Sequence, residues 1–392
     1  MRIGLVHNYY RQAGGEDATF AVESALLREN GHEVAQYIED NQRINEMNPV
    51  TAAARSIWSR RSSNQLLKML WKAHYNVVHF HNTFLLISPS AYYACRDAGV
   101  PVVQTVQNYR LLCPVATFFR EGQLCEDCLG KTPPWPGILH ACYHNSRTQT
   151  SVVAVMLALH RFLKTWLRCV DIYIAPTEFI RKKHVEGGFP AEKLVVKPNF
   201  VHPDPGMRQA QGHFALFVGR LTSEKGVETL LKAWRVLKGI PLKIVGNGPL
   251  QNKVEVYLRD PKLEQVENLG QRAHEEVLAL MKAARFLVFP SEWYEAFPVT
   301  LVEAFACGVP VIVSRLGGMA EIVEDQRMGL HFTPGDAEDL AAKVDWAWTN
   351  SEQTEKMGCE GRVEYEVKYT AKRNYEILMQ IYRRVIEVRK RR

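Results

Sequence analysis

Short apolar runs, each followed by a stretch with helical apolar spacing, alternate along this chain, and the alternation runs through twice. In the first half the runs fall at residues 3–7, 32–37, 77–80, 101–106 and 172–175. In the second they fall at 214–218, 242–245, 266–269, 286–289, 309–313 and 329–332. Strands alternating with helices imply parallel βαβ units, and two such series imply an α/β chain with two doubly wound sheets. Between the halves, residues 197–206 carry three prolines and a glycine, which continue neither a helix nor a central strand, so the hinge is expected there. This predicts a first domain over 1–200 and a second over 204–368. A final helix at about 369–392, with apolar spacing through Tyr375, Leu378, Met379, Tyr382 and Ile386, has no strand after it and is expected to pack back on the first domain.

The composition agrees with two ordinary cores: 392 residues with 46% hydrophobic content exceed what one core organises. No uncharged run of about 18 apolar residues occurs, and the opening segment passes directly into polar sequence, so a cytoplasmic chain is expected. A formal net charge of +7 points to anionic partners without choosing among them.

Several strand-to-helix turns carry chemistry. Gly14, Gly15 and Glu16 follow the first strand and precede a helical run, where glycine lets backbone approach a diphosphate at a helix N-terminus. The dinucleotide fingerprint G-x-G-x-x-G is absent there, which argues against a nicotinamide dehydrogenase. In the second half, Gly219-Arg220-Leu221-Thr222-Ser223-Glu224-Lys225-Gly226 sets two cations at a strand's carboxyl end, where ligands collect in such sheets. The next turn, Val245 to Leu250, contains Gly248. The segment Pro290 to Pro310 places Glu295 in a loop and Glu303 inside the following helix among apolar neighbours. A carboxylate so placed is costly unless it binds something, and sugar or ribose hydroxyls are natural partners.

In this order the Gly-Gly-Glu turn, GRLTSEKG, VGNGPL, the spaced glutamate pair and GVPVIVSRLGGMAEIV resemble glycosyltransferase family 4 over nearly the whole chain. The resemblance implies the GT-B fold, two doubly wound Rossmann-like domains facing a central cleft. It also implies a hexosyltransferase that retains anomeric configuration without a bound catalytic metal, and no D-x-D motif occurs. By the same resemblance, Gly14 and Gly15 face the donor phosphates with Glu16 beside them, and Arg220 and Lys225 stabilise the departing diphosphate. Glu295 contacts donor-sugar hydroxyls, and Glu303 binds ribose. Gly248, Phe297 and Pro298 complete the donor side, with Arg272 near the base; Gly317 and Gly318 resemble a structural turn. Where many members carry a histidine after the fourth strand, this chain has Gln107, followed by Asn108, on the acceptor side. Glutamine hydrogen-bonds a sugar but carries no proton near neutral pH. Chemistry that rests on positioning and leaving-group stabilisation does not need that proton.

Two further patterns stand outside this set. Cys113, Cys125, Cys128 and Cys142 contain a C-x2-C step. Their spacing is compatible with a small structural zinc loop in which His140 or His144 substitutes for one ligand, with free thiols, or with a disulfide or mixed arrangement. Residues 55–74 hold Arg55, Arg60, Arg61, Lys68 and Lys72 and no acidic residue, interleaved with apolar side chains that include Trp58 and Trp71. This reads either as an amphipathic helix on an anionic membrane leaflet or as an ordinary packed helix. The tail 383–392, with six basic residues, adds to a positive face, and no nucleic-acid module accompanies the charge.

The expected function is transfer of a sugar from a nucleotide-diphosphate sugar to a saccharide or lipid-linked acceptor in polysaccharide or glycolipid biosynthesis, with no cofactor required for catalysis. The alternatives are a nucleotide-sugar epimerase or hydrolase of the same architecture, or a catalytically silent sugar-binding scaffold.

Overall fold

The computed structural model describes residues 1–12 and 14–390. The chain forms two compact units: residues 1–118, 126–198 and 374–392 make unit 1, and residues 119–125 and 199–373 make unit 2. Arg391 and Arg392 of the basic tail lie outside the described residues.

The sheet of unit 1 has six parallel strands: β1 (Arg2–Tyr9), β2 (Glu33–Asp40), β3 (Val77–Phe80), β4 (Val102–Thr105), β7 (Ile172–Ala175) and β8 (Leu194–Val196). The order is β2-β1-β3-β4-β7-β8. A two-stranded hairpin, β5 (Phe119–Arg120) with β6 (Gln123–Leu124), lies between β4 and β7 in sequence. Neither β8 nor this hairpin was expected from the sequence, because both are too short to show periodicity.

Side chains alternate across the sheet. Ile3, Leu5, Val77 and Val103 face a layer holding Phe20 and Leu27 of α1 (Gly15–Glu29). On the other face, Phe80 sets its ring 4.6 Å from Tyr92. The helices between β2 and β8 are α2 (Pro49–Ile57), α3 (Arg60–Trp71), α4 (Ala91–Asp97, which carries Tyr92), α5 (Trp135–Leu139), α6 (Arg147–Phe162), α7 (Thr165–Cys169) and α8 (Glu178–Glu186).

The basic stretch at 55–74 is therefore two helices, not one. The break falls at Trp58, in extended backbone, and Ser59, which caps α3 by accepting from the Ser62 N–H. The Ser59 N–H is held by Ser88 and Ser90, residues distant in sequence, so no local glycine or proline marks the break. Arg55 is turned inward against Glu39 at 3.1 Å, which removes it from any outer basic face.

The sheet of unit 2 is again six-stranded and parallel: β9 (Ala215–Val218), β10 (Leu242–Val245), β11 (Val266–Gly270), β12 (Phe286–Phe289), β13 (Val311–Ser314) and β14 (Gly329–Phe332), in the order β11-β10-β9-β12-β13-β14. Its crossovers use α9 (Val227–Trp234), α10 (Gln251–Tyr257), α11 (His274–Ala283), α12 (Val299–Ala306) and α13 (Gly317–Ile322). Helices α14 (Ala337–Thr349) and α15 (Ser351–Lys368) follow β14. Apolar clusters pack both faces, one around Leu287, Leu301 and Phe305 and the other around Phe217, Trp234 and Phe286.

Helix α16 (Ala371–Lys390) places Leu378, Met379 and Tyr382 in the same core cluster of unit 1 as Ile3 and Leu5. Asn374 sits where the chain enters this helix. Its side chain donates to the Pro198 carbonyl at 2.7 Å and accepts from Lys197 Nζ at 3.1 Å, so both passages of the chain are tied at one point.

Candidate active site

In an open parallel sheet, ligands gather beyond the carboxyl ends of the strands where the strand order reverses. In unit 2 that point lies between β9 and β12. The loop after β9 carries Arg220 and Lys225, and the loop after β12 carries Ser291 and Glu295. Lys225 Nζ lies 2.6 Å from Glu295 Oε1, and Ser291 Oγ donates to the same oxygen at 2.7 Å. Ser291 and Glu295 are buried, so the carboxylate is held by two donors in a site poor in water. The ammonium stands 5.4 Å from the Phe289 ring centroid and 5.5 Å from that of Trp293, a second source of cation stabilisation.

Close backbone packing fixes these loops. Gly226 has φ +67, and a Cβ there would come 1.8 Å from the Pro290 carbonyl oxygen. At Gly246, with φ +144, a Cβ would sit 1.9 Å from the Gly219 oxygen. The Leu221 N–H donates to Asn247 O at 2.9 Å and the Glu292 N–H to Glu224 O at 2.8 Å, so the turns after β9, β10 and β12 are laced together. Gly248 belongs to this lacing: a Cβ there would meet the Leu221 backbone at 2.6 Å.

The other donor-side positions separate by burial. Glu303, on α12, is nearly buried, and its carboxyl is pushed up by burial while His274, 3.7 Å away, opposes the shift. Arg272 and Arg220 are exposed on their loops. Pro298 caps α12, and Phe297 turns into the core, 6.0 Å from the Tyr369 ring.

In unit 1 the order reverses between β1 and β3, and a buried polar cluster occupies that end. His7 Nε2 lies 2.7 Å from Asp17 Oδ1, while Asp17 Oδ2 accepts from the Gly14 N–H at 3.1 Å. Gly14 and Gly15 border open space, with no atom within 4 Å of an added Cβ. Glu16 accepts from Asn108 Nδ2 at 2.6 Å and from the Tyr10 hydroxyl at 3.0 Å, and burial pushes its carboxyl up. Gln107 Nε2 is 3.4 Å from His81 Nδ1. Burial, then His79, lowers His81 to about 4, so it is neutral at pH 7 and accepts from the glutamine.

Behind this layer Glu23 Oε2 accepts from Lys197 Nζ at 2.9 Å, and Glu23 Oε1 lies 3.1 Å from His79 Nδ1 and 3.2 Å from His81 Nε2. Glu23, His79 and His81 are the one convergent group of metal-capable side chains among the described residues. Lys197 already neutralises the carboxylate, and the His79 nitrogens meet the hydroxyls of Tyr382 at 2.8 Å and Thr105 at 2.7 Å. Glu23 Oε2 and both His79 nitrogens are thus engaged, while Glu23 Oε1 and His81 Nε2 face each other buried and without a hydrogen-bond partner. Cys113, Cys125, Cys128 and Cys142 form no such group among the described residues. Cys113 and Cys128 are buried, and Cys128 Sγ donates to the Pro134 carbonyl at 3.8 Å.

Sequence reading missed Ser291, His7, Asp17, His81, Glu23 and Lys197. Signals existed in two places: Ser291 shares the short loop of Glu295, and His79-Phe80-His81 sets two histidines on one face of a strand end. Lys197 and Glu23 are far apart in sequence, and nothing local couples them.

Comparison with known proteins agrees with both units. The family model described as Glycosyltransferase Family 4 matches residues 21–205, and that described as Glycosyl transferases group 1 matches residues 206–364. D-rhamnosyltransferase WbpZ of Pseudomonas aeruginosa is 33% identical over 278 residues, 64% of this chain and 72% of that one. O-antigen chain mannosyltransferase C of Escherichia coli is 30% identical over 177 residues, 45% of this chain and 47% of that one. The chain spans about half the length of several of the curated relatives that it matches. HepE of Anabaena, solved in complex with UDP, superposes with a TM-score of 0.71 at 17% identity, covering 97% of this chain and 99% of that one. The fold is GT-B, and the chain belongs to glycosyltransferase family 4.

Proposed function

We propose that this protein transfers a sugar, with retention of anomeric configuration, from a nucleotide-diphosphate sugar to a saccharide or lipid-linked acceptor in polysaccharide or glycolipid assembly. The observation that carries this reading is the Lys225–Glu295 pair at the β9/β12 switch point. In the resting protein each side chain neutralises the other. A bound donor offers both of them new partners: its diphosphate takes the ammonium of Lys225 together with Arg220, and its sugar hydroxyls take the carboxylate of Glu295, which Ser291 keeps aimed. Two cations fixed where charge develops on the departing diphosphate lower the barrier without a proton being moved by Gln107. Glu303, on α12 with His274 3.7 Å away, takes the ribose hydroxyls in this reading. The words O-antigen chain in one relative's name support a saccharide acceptor; the names also specify rhamnosyl and mannosyl as transferred sugars, and HepE, solved with UDP-glucose, supports a nucleotide-sugar donor.

A thermal-shift series with UDP-, GDP- and ADP-sugars tests the reading. A ligand at about 100 times its dissociation constant stabilises by about 2.7 kcal/mol, and Glu295→Gln should reduce that stabilisation for the sugar nucleotide more than for the free nucleotide. No response to any of the three classes would overturn the donor assignment. Donor consumption without an acceptor-dependent product would replace transfer by hydrolysis.

A further inference from the structure

Unit 1 contains two long stretches without a single Asp or Glu, residues 47–96 and 128–170. In the fold they become neighbours: α2 and α5 pack on α6, and α7 packs on α4 and α6. Trp58 stacks on His160 of α6 with ring centroids 5.6 Å apart and lies 5.2 Å from Tyr93 of α4, and His160 Nε2 meets the Ile57 carbonyl at 2.8 Å. The outer side of this layer exposes Arg60, Arg61, Lys68, Arg147, Lys164 and Arg168. The same helices also expose large apolar side chains: Phe162 of α6 is 82% exposed, Trp71 of α3 70% and Trp135 of α5, with Lys131 over its ring, 54%. Val152, Val155, Leu159 and Phe162 recur at helical spacing along α6, so the exposure is a stripe and not a scatter.

We propose that this face docks unit 1 on an anionic lipid surface, with the α6 stripe and its flanking tryptophans entering the headgroup layer and the cations held by lipid phosphates. A second copy of the chain fits the face poorly. A two-fold contact would bring the same cation-rich surface against itself. Duplex nucleic acid would meet the cations but leave Phe162 and Trp71 in water. An anionic bilayer satisfies both features at once, since apolar insertion and attraction to anionic headgroups act together on such a face. The docking inference supplies the lipid-linked half of the acceptor reading and rests on it only there; lipid binding is measured without any sugar, so its failure leaves donor chemistry untouched.

The test is co-sedimentation of the full chain with phosphatidylcholine vesicles, with and without about one third phosphatidylglycerol. Binding should be at least about tenfold tighter to the anionic vesicles and should fall as salt rises. Phe162→Ser alone should weaken binding at both salt levels, because it removes insertion. Lys164→Gln with Arg168→Gln should weaken it at low salt by about tenfold or more. Both changes are at exposed positions, and an unchanged melting temperature verifies the fold. Lys343→Gln with Lys356→Gln, the same loss of charge on unit 2, should leave binding as it was. Equal binding to the two vesicle types overturns the proposal. So does a fall as large with the unit 2 variant as with the unit 1 pair, since the charge would then be acting without a docking face. Preference for duplex DNA over vesicles, or a Phe162→Ser variant that changes only the oligomeric mass, assigns the face to another occupant and overturns it equally.

Discussion

The two units share a sheet design but fill it differently. Unit 2 places its sheet between two apolar clusters, and the buried charged or histidine side chains among its described residues are Glu295, at the candidate site, and Glu364, which pairs with Arg327 at 2.7 Å. Unit 1 buries His7, Asp17, Glu23, His79, His81 and Lys197 beneath the ends of its strands. A dry sheet confines polar chemistry to the loops, so the loops alone define the site. A wet one depends on pairs assembled from helix, strand and chain terminus, where each missing partner strands a buried charge.

The largest effect expected from this contrast is in unit 1. Lys197→Met leaves Glu23 buried without its cation and should cost about 3–5 kcal/mol, whereas adding Glu23→Leu should recover most of that loss. Urea melts of the two variants decide it, and a single-variant cost below about 1 kcal/mol would break the contrast.

In unit 2 the analogous pair is functional. Lys225→Ala and Arg220→Ala should each lower turnover by about 100- to 1000-fold while protection of the unit 2 core from hydrogen exchange stays unchanged. Near-normal turnover in both would remove the leaving-group role.

Acid should separate the units next. His81 and His184 are held near 4 by burial, below the ordinary 6.5, so each is neutral in the folded unit 1. The unfolded chain takes up their protons first, so their contribution is complete above about pH 6.5 and is lost as pH falls from there toward 4. Glu23, which Lys197 and His79 hold well below the carboxylate range against the opposing effect of burial, adds a loss at lower pH. Glu303 in unit 2 shifts upward, with the opposite sign. Glu16 in unit 1 also shifts upward and offsets part of the loss there. Hydrogen exchange at about pH 7.5 and 5 should therefore show unit 1 loosening before unit 2. Equal loosening would mean that the buried histidines are not the weak point.

The smallest effect sharpens the site reading. Gln107→His should change turnover by less than about tenfold, since a required proton carrier would be worth 100- to 10000-fold. An increase of the latter size would give the position a proton-transfer role.

The strands of both sheets except β8, and the loops bearing Arg220, Lys225 and Glu295, were legible in the sequence alone. An apolar run is local information, and in a doubly wound sheet the ligand loops follow the strands directly. Ser291 could have been added, since it sits in the same short loop as Glu295. Other features were decided only by tertiary structure. Arg55 turns from a supposed outer face to Glu39, the helix breaks at Trp58 and Ser59 because Ser88 and Ser90 take the Ser59 N–H, and Phe297 enters the core. Glu23 from α1, His79 from β3, Lys197 after β8 and Tyr382 from α16 meet in one network. Each depends on a partner remote in the chain, and the energy of a buried polar group is set by that partner rather than by its own neighbours in sequence.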